Sequence, residues 1–333
     1  MKYLLYTLSF LTPVHFGMTS LGGGLEKAEM TIPSDTFFSA LAAGLGVAGE
    51  ADDLERLLSR AAAGEILFSS LLPWHEFGED MAYYVPRPVR MPSARHQAES
   101  YRKTCVQATQ RKKLKKMNYL RAGRLHDSLA AMEKGAPLAS EEPEFGRPYL
   151  VERVNCRGEE PLPYYVGAFS FARGAGLYLL VGLVHEEDAI WLEELLAWLG
   201  MQGIGGKRTS GYGKFELFDD ALELGEDSFY PGGDDVALYT MLRDDKAPLQ
   251  LALSSLLPEK QDIPQVKAGG YRLRRAGGFF SFAQQAAKKR GVTLLEAGSC
   301  LKERIRGRVA ELDTLDGHAV YRYGLGLYAG VRL

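Results

Sequence analysis

Hydrophobic and polar residues follow two different periods along the first half of the chain. Residues 3–11 alternate as the residues of a buried strand do, and Pro13 ends this strand. In the segment IPSDTFFSALAAGLG, apolar residues recur at helical spacing, and Ser34 or Asp35 is placed to cap the predicted helix. The segments EILFSSLLPW and MAYYVPRPV predict further strands, and a helical, strongly basic stretch extends from Ala98 to His126.

The second half of the chain repeats this order of strands and helices. Strands are predicted at PYLVERVNC, YYVGAFSFARG, GLYLLVGLV and GKFELF, with the amphipathic helix HEEDAIWLEELLAWLG before the last of them. The segments DVALYTMLR, GYRLRRAGGFFSF and HAVYRYGLGLYAGVRL predict more strands. We therefore predict an α+β protein of two ferredoxin-like (RRM-like) units with antiparallel sheets, one at residues 1–143 and one at residues 144–333, separated by an acidic, proline-containing stretch.

Composition and charge narrow the class of protein. With 46% hydrophobic and 25% charged residues, the chain is typical of a soluble globular protein. A net charge of −2 argues against a protein that binds nucleic acid by bulk charge, so any such site must be local. Cys105, Cys156 and Cys300 are widely separated and have no metal-ligand spacing, which indicates a reducing, cytoplasmic setting and no metal site.

The segment QGIGGKRTSGYGKFEL contains five glycines in eleven residues around two cations. It lacks the spacing of a P-loop or of a dinucleotide-binding loop. Its bare backbone, cations, hydroxyls and one aromatic ring suit a phosphodiester backbone with a base to stack on. The alternatives are a flexible linker for the loop and a packed core ring for Tyr212. The loop residues predicted to contact RNA are Gly205, Gly206, Lys207, Arg208, Thr209, Ser210, Gly211, Tyr212 and Gly213.

A second candidate contact is the basic stretch before residue 126. Between Arg95 and Arg124 there are ten Lys or Arg residues and one acid, so either a solvated helix face or a polyanion partner must relieve the self-repulsion. The residues favoured for RNA contact are Lys112, Lys113, Lys115 and Lys116. A smaller patch, YRLRRAGG, offers Arg272 and Arg274, although strand-edge charge explains it equally well.

Ser34 and His15, near the N-terminus, have two interpretations each, and Asp35 has one. Ser34 caps the first helix, and it also stands where free N–H groups could meet a phosphate. Asp35 would repel phosphate, so a structural role is expected. His15 follows the first strand and is expected to stabilise a turn or to contact RNA, because the sequence shows no partner for acid–base catalysis.

Four motifs together resemble one known family. The motifs PVHFG, IPSDTFFSAL, RKKLKKMNYL and IGGKRTSGYGKFE, in this order along the chain, are similar to segments of the RAMP superfamily of CRISPR–Cas RNA-binding proteins. The branch they most resemble supplies the fourth subunit of type III-A Csm effector complexes. That resemblance implies a non-catalytic subunit without cofactor or metal, with a β-hairpin thumb, which we place by position at Trp74–Met91.

The resemblance also implies partners. The subunit would hold the 5′ repeat-derived tag of the crRNA, cap the complex, and contact the large polymerase-like subunit and the backbone RAMP subunit. Three alternatives remain at this stage. They are a RAMP-type endoribonuclease that processes precursor crRNA with His15 or His75, the equivalent subunit of a type III-B (Cmr) complex, and a nucleotide-using enzyme.

Overall fold

The computed structural model describes residues 1–17, 25–89, 116–134, 136, 142–156, 160–278, 289–315 and 318–332. Its helices are α1 (Ser34–Ala48), α2 (Ala51–Ala63), α3 (Leu125–Lys134), α4 (Asp188–Gln202), α5 (Asp234–Arg243) and α6 (Ile263–Lys267). Its first strands are β1 (Lys2–Phe10), β2 (Phe16–Gly17), β3 (Ala28–Glu29), β4 (Ile66–Phe68), β5 (Leu72–Phe77), β6 (Asp80–Pro86), β7 (Tyr119–Arg121), β8 (Gly146–Asn155), β9 (Leu162–Phe171) and β10 (Ala175–Leu183). The later strands are β11 (Phe215–Leu217), β12 (Leu222–Glu223), β13 (Leu249–Ala252), β14 (Leu273–Ala276), β15 (Val292–Leu295), β16 (Cys300–Leu301), β17 (Ala310–Leu315), β18 (His318–Arg322) and β19 (Tyr328–Val331).

A central antiparallel sheet joins strands from both ends of the sequence. Its strand order is β11-β1-β10-β5-β6-β7, with β12 also paired to β1 and β4 also paired to β10. The longest pairing runs from Lys2 opposite Leu183 to Leu8 opposite Leu177. The predicted mixture of helices and antiparallel sheets is thereby confirmed. Strands from both sides of residue 143 share this sheet, and the division into two units at that residue stays a prediction.

Both faces of the central sheet are covered, which explains why its middle strands are so apolar. Leu4, Tyr6 and Leu8 of β1 pack into a core with α1, α2 and α4. Tyr3 and Leu5 point to the other face and pack with α3, α5 and the small sheet β16-β13-β19. Strand β10 is buried along its whole length, as expected for a strand with a core on each side.

One predicted strand is wrong. The segment DVALYTMLR forms α5 instead, because Leu238 and Leu242 lie four residues apart and are buried on one helical face. The region Trp74–Met91 is expected to hold the thumb. Its residues up to 86 form the antiparallel hairpin β5–β6 of the central sheet, where Trp74 is buried, and residues 90 and 91 lie outside the described residues, so the position of the thumb stays a prediction. The longest hairpin in the described part is β8–β9, and the outer strand of this hairpin is largely exposed.

The start of α1 also differs from the prediction. Pro33, rather than Ser34 or Asp35, occupies the N-cap, and no side chain caps the helix. Ser34 is fully buried, and its Oγ accepts a 2.8 Å hydrogen bond from the backbone N–H of Ser255. The structural role expected for Asp35 is confirmed, because its buried carboxylate pairs with Arg274 and, at 3.0 Å, with Arg322. Helix α1 is therefore tied to the C-terminal part of the chain by buried polar contacts.

Candidate nucleic-acid interface

The glycine-rich loop has a fixed backbone instead of the flexibility of a linker. Gly203, Gly205, Gly211 and Gly213 all have positive φ angles, between 77° and 94°, which a residue with a Cβ adopts only at a cost. The ends of the loop are closed by hydrogen bonds from the N–H of Ile204 to the carbonyl of Gly213 and from the N–H of Gly213 to the carbonyl of Pro13, each 2.9 Å long. The linker interpretation is therefore wrong, and the loop is anchored on the turn that follows β1.

Lys207 has an unusual backbone conformation within this loop. It is the only non-glycine residue with a positive φ, 61°, in the part of the chain that the structure describes. A short 3₁₀ turn follows at Arg208–Ser210. Within the described residues, the backbone N–H groups of Arg208 and Thr209 have no hydrogen-bond acceptor. A left-handed residue followed by right-handed ones turns successive N–H groups toward one point, which is the geometry that binds an anion.

His15 packs against this loop and accepts one of its backbone hydrogen bonds. The backbone N–H of Gly206 donates a 2.9 Å hydrogen bond to the carbonyl of His15. The His15 ring lies so close that a Cβ at position 206 would come within 2.6 Å of its Cδ2 atom. Its Nδ1 donates to the carbonyl of Gly167 on β9 at 2.7 Å, and only 6% of the residue is exposed. The turn-stabilising interpretation of His15 is therefore confirmed.

The β8–β9 hairpin contributes a basic and aromatic face beside the loop. Side chains alternate along a strand, so Arg147, Tyr149 and Arg153 share one face of β8. Tyr164 of β9 lies opposite Arg153 in the register. The Nζ atom of Lys207 lies 5.2 Å from the centre of the Tyr164 ring, in a cation–π contact between loop and hairpin.

Between loop and hairpin lies a concavity of about 190 Å³. Its lining residues are Arg153, Val154, Tyr164, Val166, Lys207, Ser210 and Tyr212. Burial raises the pKa of the nearby Tyr149 phenol, and the Tyr212 hydroxyl adds to this rise. The concavity thus combines two cations, hydroxyl groups and aromatic rings, which is the set of groups that binds a phosphate and an unstacked base.

Tyr212 does not have the exposure that the sequence suggested. Only 7% of it is exposed, so its ring forms a packed wall of the concavity, and the core-packing alternative holds for this residue. Tyr164 is the more accessible ring and is the better candidate for stacking on a base. Sequence reasoning missed Arg147, Tyr149, Arg153 and Tyr164, although the alternation of RPYLVER was a usable signal.

Other predicted contact residues fall elsewhere. Thr209 and Ser210 are exposed on the loop, whereas the buried Ser34 side chain is engaged at the start of α1. Lys116 is exposed, and Lys112, Lys113 and Lys115 lie outside the described residues. One cation of the basic stretch has partners that the sequence did not reveal. Arg121 donates to Asp80 at 2.7 Å and to Asp234 at 3.0 Å, so part of the basic stretch is neutralised within the fold.

The two arginines of the second basic patch, Arg272 and Arg274, have different surroundings in the structure. Arg274 is nearly buried against Asp35, so its structural role replaces an RNA contact. Arg272 is half exposed and lies 3.6 Å from a carboxylate oxygen of Glu296.

No helix among the described residues has the length and apolar character needed to cross a membrane. Within the same residues there is no cluster of three or more His, Cys, Asp or Glu side chains that could hold a metal ion.

Known proteins share both sequence and fold with this chain. Residues 245–331 match the family model described as the CRISPR Csm4 C-terminal domain. A protein of Mycobacterium tuberculosis (strain CDC 1551 / Oshkosh), described as "CRISPR system Cms protein Csm4", is 28% identical over 94% of this chain and 93% of its own length. A protein of Streptococcus thermophilus with the same description is 26% identical over 98% of both chains.

Solved structures agree with these relatives. A chain in the crystal structure of a Csm3–Csm4 subcomplex of the type III-A CRISPR–Cas interference complex superposes with a TM-score of 0.63, at 17% identity and full coverage of both chains. A chain of a Csm1–Csm4 cassette in complex with pppApA gives a TM-score of 0.61, at 19% identity over 100% of this chain and 99% of that one. The family model, the relatives that match almost the whole chain and the shared fold confirm the resemblance to Csm4 proteins of type III-A complexes that the sequence indicated.

Proposed function

We propose that this chain is a non-catalytic subunit of a type III-A Csm effector complex that binds the 5′ repeat-derived tag of the crRNA and caps the complex. The observation that carries this proposal is the anchored loop at Lys207. Its N–H groups at Arg208 and Thr209 have no acceptor among the described residues, and Lys207 and Ser210 line the concavity together with Arg153 and Tyr164 of the hairpin. Such a site contacts phosphate and ribose 2′-hydroxyls, and the latter distinguish RNA from DNA.

The proposal assigns each part of the interface a role. Lys207 and Arg208 neutralise phosphates, Arg208 with two parallel donors where the geometry allows. Thr209 and Ser210 donate to phosphate or ribose oxygens. The β8–β9 hairpin takes the place of the thumb that the sequence put at Trp74–Met91, and its Tyr164 offers a stacking surface. The RNA then passes between loop and hairpin.

Protein partners follow from the relatives. The similar structures hold Csm4 together with Csm3 in one case and with Csm1 in the other, and this chain covers the whole length of such Csm4 chains. We therefore extend the proposal to two contacts, one with the backbone RAMP subunit and one with the large polymerase-like subunit. A complex of this kind acts on nucleic acid in the cytoplasm, where we place the protein.

The surroundings of the histidines support a subunit without nuclease activity. His15 is buried, and its Nδ1–H is occupied by the carbonyl of Gly167. His75 donates from Nδ1 to the carbonyl of its neighbour Glu76 at 2.7 Å. A general acid or base must reach the reacting oxygen directly or through one water. A buried His15 that supports the loop is better suited to hold the backbone than to transfer a proton.

The test compares RNA that carries a repeat-derived 5′ tag with the same RNA lacking it. We expect the purified chain to prefer the tagged RNA, to crosslink to it through residues 205–213, and to leave it intact. The Lys207→Ala/Arg208→Ala variant should lose most of this binding. Lys260→Ala/Lys267→Ala is the matched control, because it removes two exposed cations outside the interface. Cleavage of a repeat RNA that disappears in His15→Ala or His75→Ala would overturn the non-catalytic assignment.

A further inference from the structure

A row of aromatic rings crosses the face of the central sheet that packs against α3 and α5. The Phe218 ring lies 5.3 Å from Trp74, and Trp74 is directly opposite Tyr83 in the β5–β6 register. Tyr83 lies 6.4 Å from Tyr230, which in turn lies 5.0 Å from Phe229. We call these five residues the aromatic ridge. Trp74 and Tyr83 are buried and Tyr230 is partly buried, whereas 43% of Phe218 and 72% of Phe229 are exposed at the two ends.

The exposed end of the ridge is held in place. The backbone N–H of Phe229 donates a 2.6 Å hydrogen bond to a carboxylate oxygen of the buried Asp235. The N–H of Gly232 donates to Asp80 at 2.8 Å, and Asp80 itself pairs with Arg121. A large apolar side chain that is fixed in an exposed position loses little conformational freedom when a partner covers it. This is the character of an interface anchor.

The surface around the ridge is acidic. Between Lys214 and Arg243 the sequence has eight Asp or Glu residues and no Lys or Arg. The exposed members of this group are Glu216, Asp219, Asp220, Glu223, Glu226 and Asp227. Burial raises the pKa of the Tyr230 phenol, and Asp219 raises it further, which places this carboxylate beside the ridge. Acidic side chains around an apolar anchor repel nucleic acid and favour a protein surface with cations around an apolar pocket.

The ridge and the RNA site lie on different faces of the sheet. Trp74 and Tyr83 pack into the core that includes α3 and α5. Leu199 and Ile204, which lead into the glycine-rich loop, pack into the core on the other face. Under the proposed function, the RNA and the backbone subunit that follows it lie on the side of the loop. The exposed, acidic end of the ridge at Phe229 lies on the other side of the sheet, so we assign it to the other protein partner, the large subunit.

We propose that the aromatic ridge docks the large polymerase-like subunit, and that this subunit presents an apolar pocket for Phe229 with Lys or Arg side chains at its rim. The inference rests on the proposed function and adds to it the surface, the anchor residue and the chemistry of the partner. The acidic rim steers the encounter of the two proteins, and the buried ring keeps the complex from dissociating.

The experiment measures the affinity of the full chain for the large subunit, the backbone subunit and tagged RNA in parallel. Phe229→Ala should weaken binding to the large subunit by about 30-fold, the scale of an interface anchor, and leave the other two affinities unchanged. Ile190→Ala is the matched control, because Ile190 is also a highly exposed apolar residue and lies on α4. A second variant, Asp219→Asn/Asp220→Asn, should slow association at low salt and leave dissociation nearly unchanged.

The outcomes separate the inference from the function on which it rests. If the wild-type chain binds the large subunit and Phe229→Ala binds it equally well, the ridge is not the docking surface and the proposed function stands. Loss of the backbone subunit instead of the large subunit would also overturn the assignment. A wild-type chain that binds neither protein would refute the proposed function together with the inference.

Discussion

Removal of the two loop cations should change how RNA binding responds to salt. Four cations border the proposed RNA path: Lys207 and Arg208 on the loop, and Arg147 and Arg153 on the hairpin. Each phosphate contact to single-stranded RNA gives a slope of about −0.7 in log affinity against log salt, so four contacts give about −2.8. From about 50 to about 200 mM salt, the wild-type chain should therefore lose about 50-fold in affinity. The Lys207→Ala/Arg208→Ala variant, with a slope of about −1.4, should lose about 7-fold.

The assay is a titration of labelled, tagged RNA by fluorescence anisotropy at five or more salt concentrations. The slope is the decisive quantity, because it counts released counterions and does not depend on the absolute affinity. The Lys260→Ala/Lys267→Ala control should keep the wild-type slope. Equal slopes for the wild type and the loop variant would show that Lys207 and Arg208 contact no phosphate. A wild-type slope near zero would refute the electrostatic interface as a whole.

Four further substitutions test the fold and the interface. Asp35→Ala should lower the free energy of unfolding in urea by about 3–5 kcal/mol, because two guanidinium groups lose their buried carboxylate, and a loss below about 1 kcal/mol would contradict this. Gly211→Ala should cost about 1–2 kcal/mol for its left-handed backbone alone. Gly213→Ala should cost more, because its Cβ would lie 2.0 Å from a carbonyl oxygen, and equal melting temperatures would speak against the packed loop. Tyr164→Ala should weaken RNA binding by about 1–3 kcal/mol, whereas Tyr165→Ala, on the opposite face of β9, should leave the titration unchanged.

Local patterns were a good guide where the local sequence decides the structure. The alternation of residues 3–11 predicted β1, and the apolar spacing that follows predicted α1. They failed where a short apolar pattern fits two periods. DVALYTMLR has apolar residues that suit a strand or a helix, and only the burial of Leu238 and Leu242 against the central sheet selects the helix.

The candidate interface, too, was only partly predictable from local sequence patterns. The cluster of glycines indicated a special backbone, and Lys207 indeed adopts the left-handed conformation within it. However, no pattern in the sequence pairs Lys207 with Tyr164, because the register of β8 and β9 and their place beside the loop depend on contacts far apart in the chain. For the same reason the sequence left open whether Tyr212 stacks on a base or packs in the core, and only the structure shows that it is 7% exposed, in the wall of the concavity.

The sequence by itself determined the class of fold, the position of the glycine-rich loop and the family resemblance, because each of these depends on residue types and short spacings along the chain. The tertiary structure decided which residues meet. Asp35 forms an ion pair with Arg322, which is 287 positions away in the sequence, and the carbonyl of His15 accepts a hydrogen bond from a loop that begins nearly two hundred residues later. Such contacts form only when burial of apolar surface on both faces of the central sheet fixes the strand order. No local pattern encodes that order, and the interface exists only where the strand order has brought loop and hairpin together.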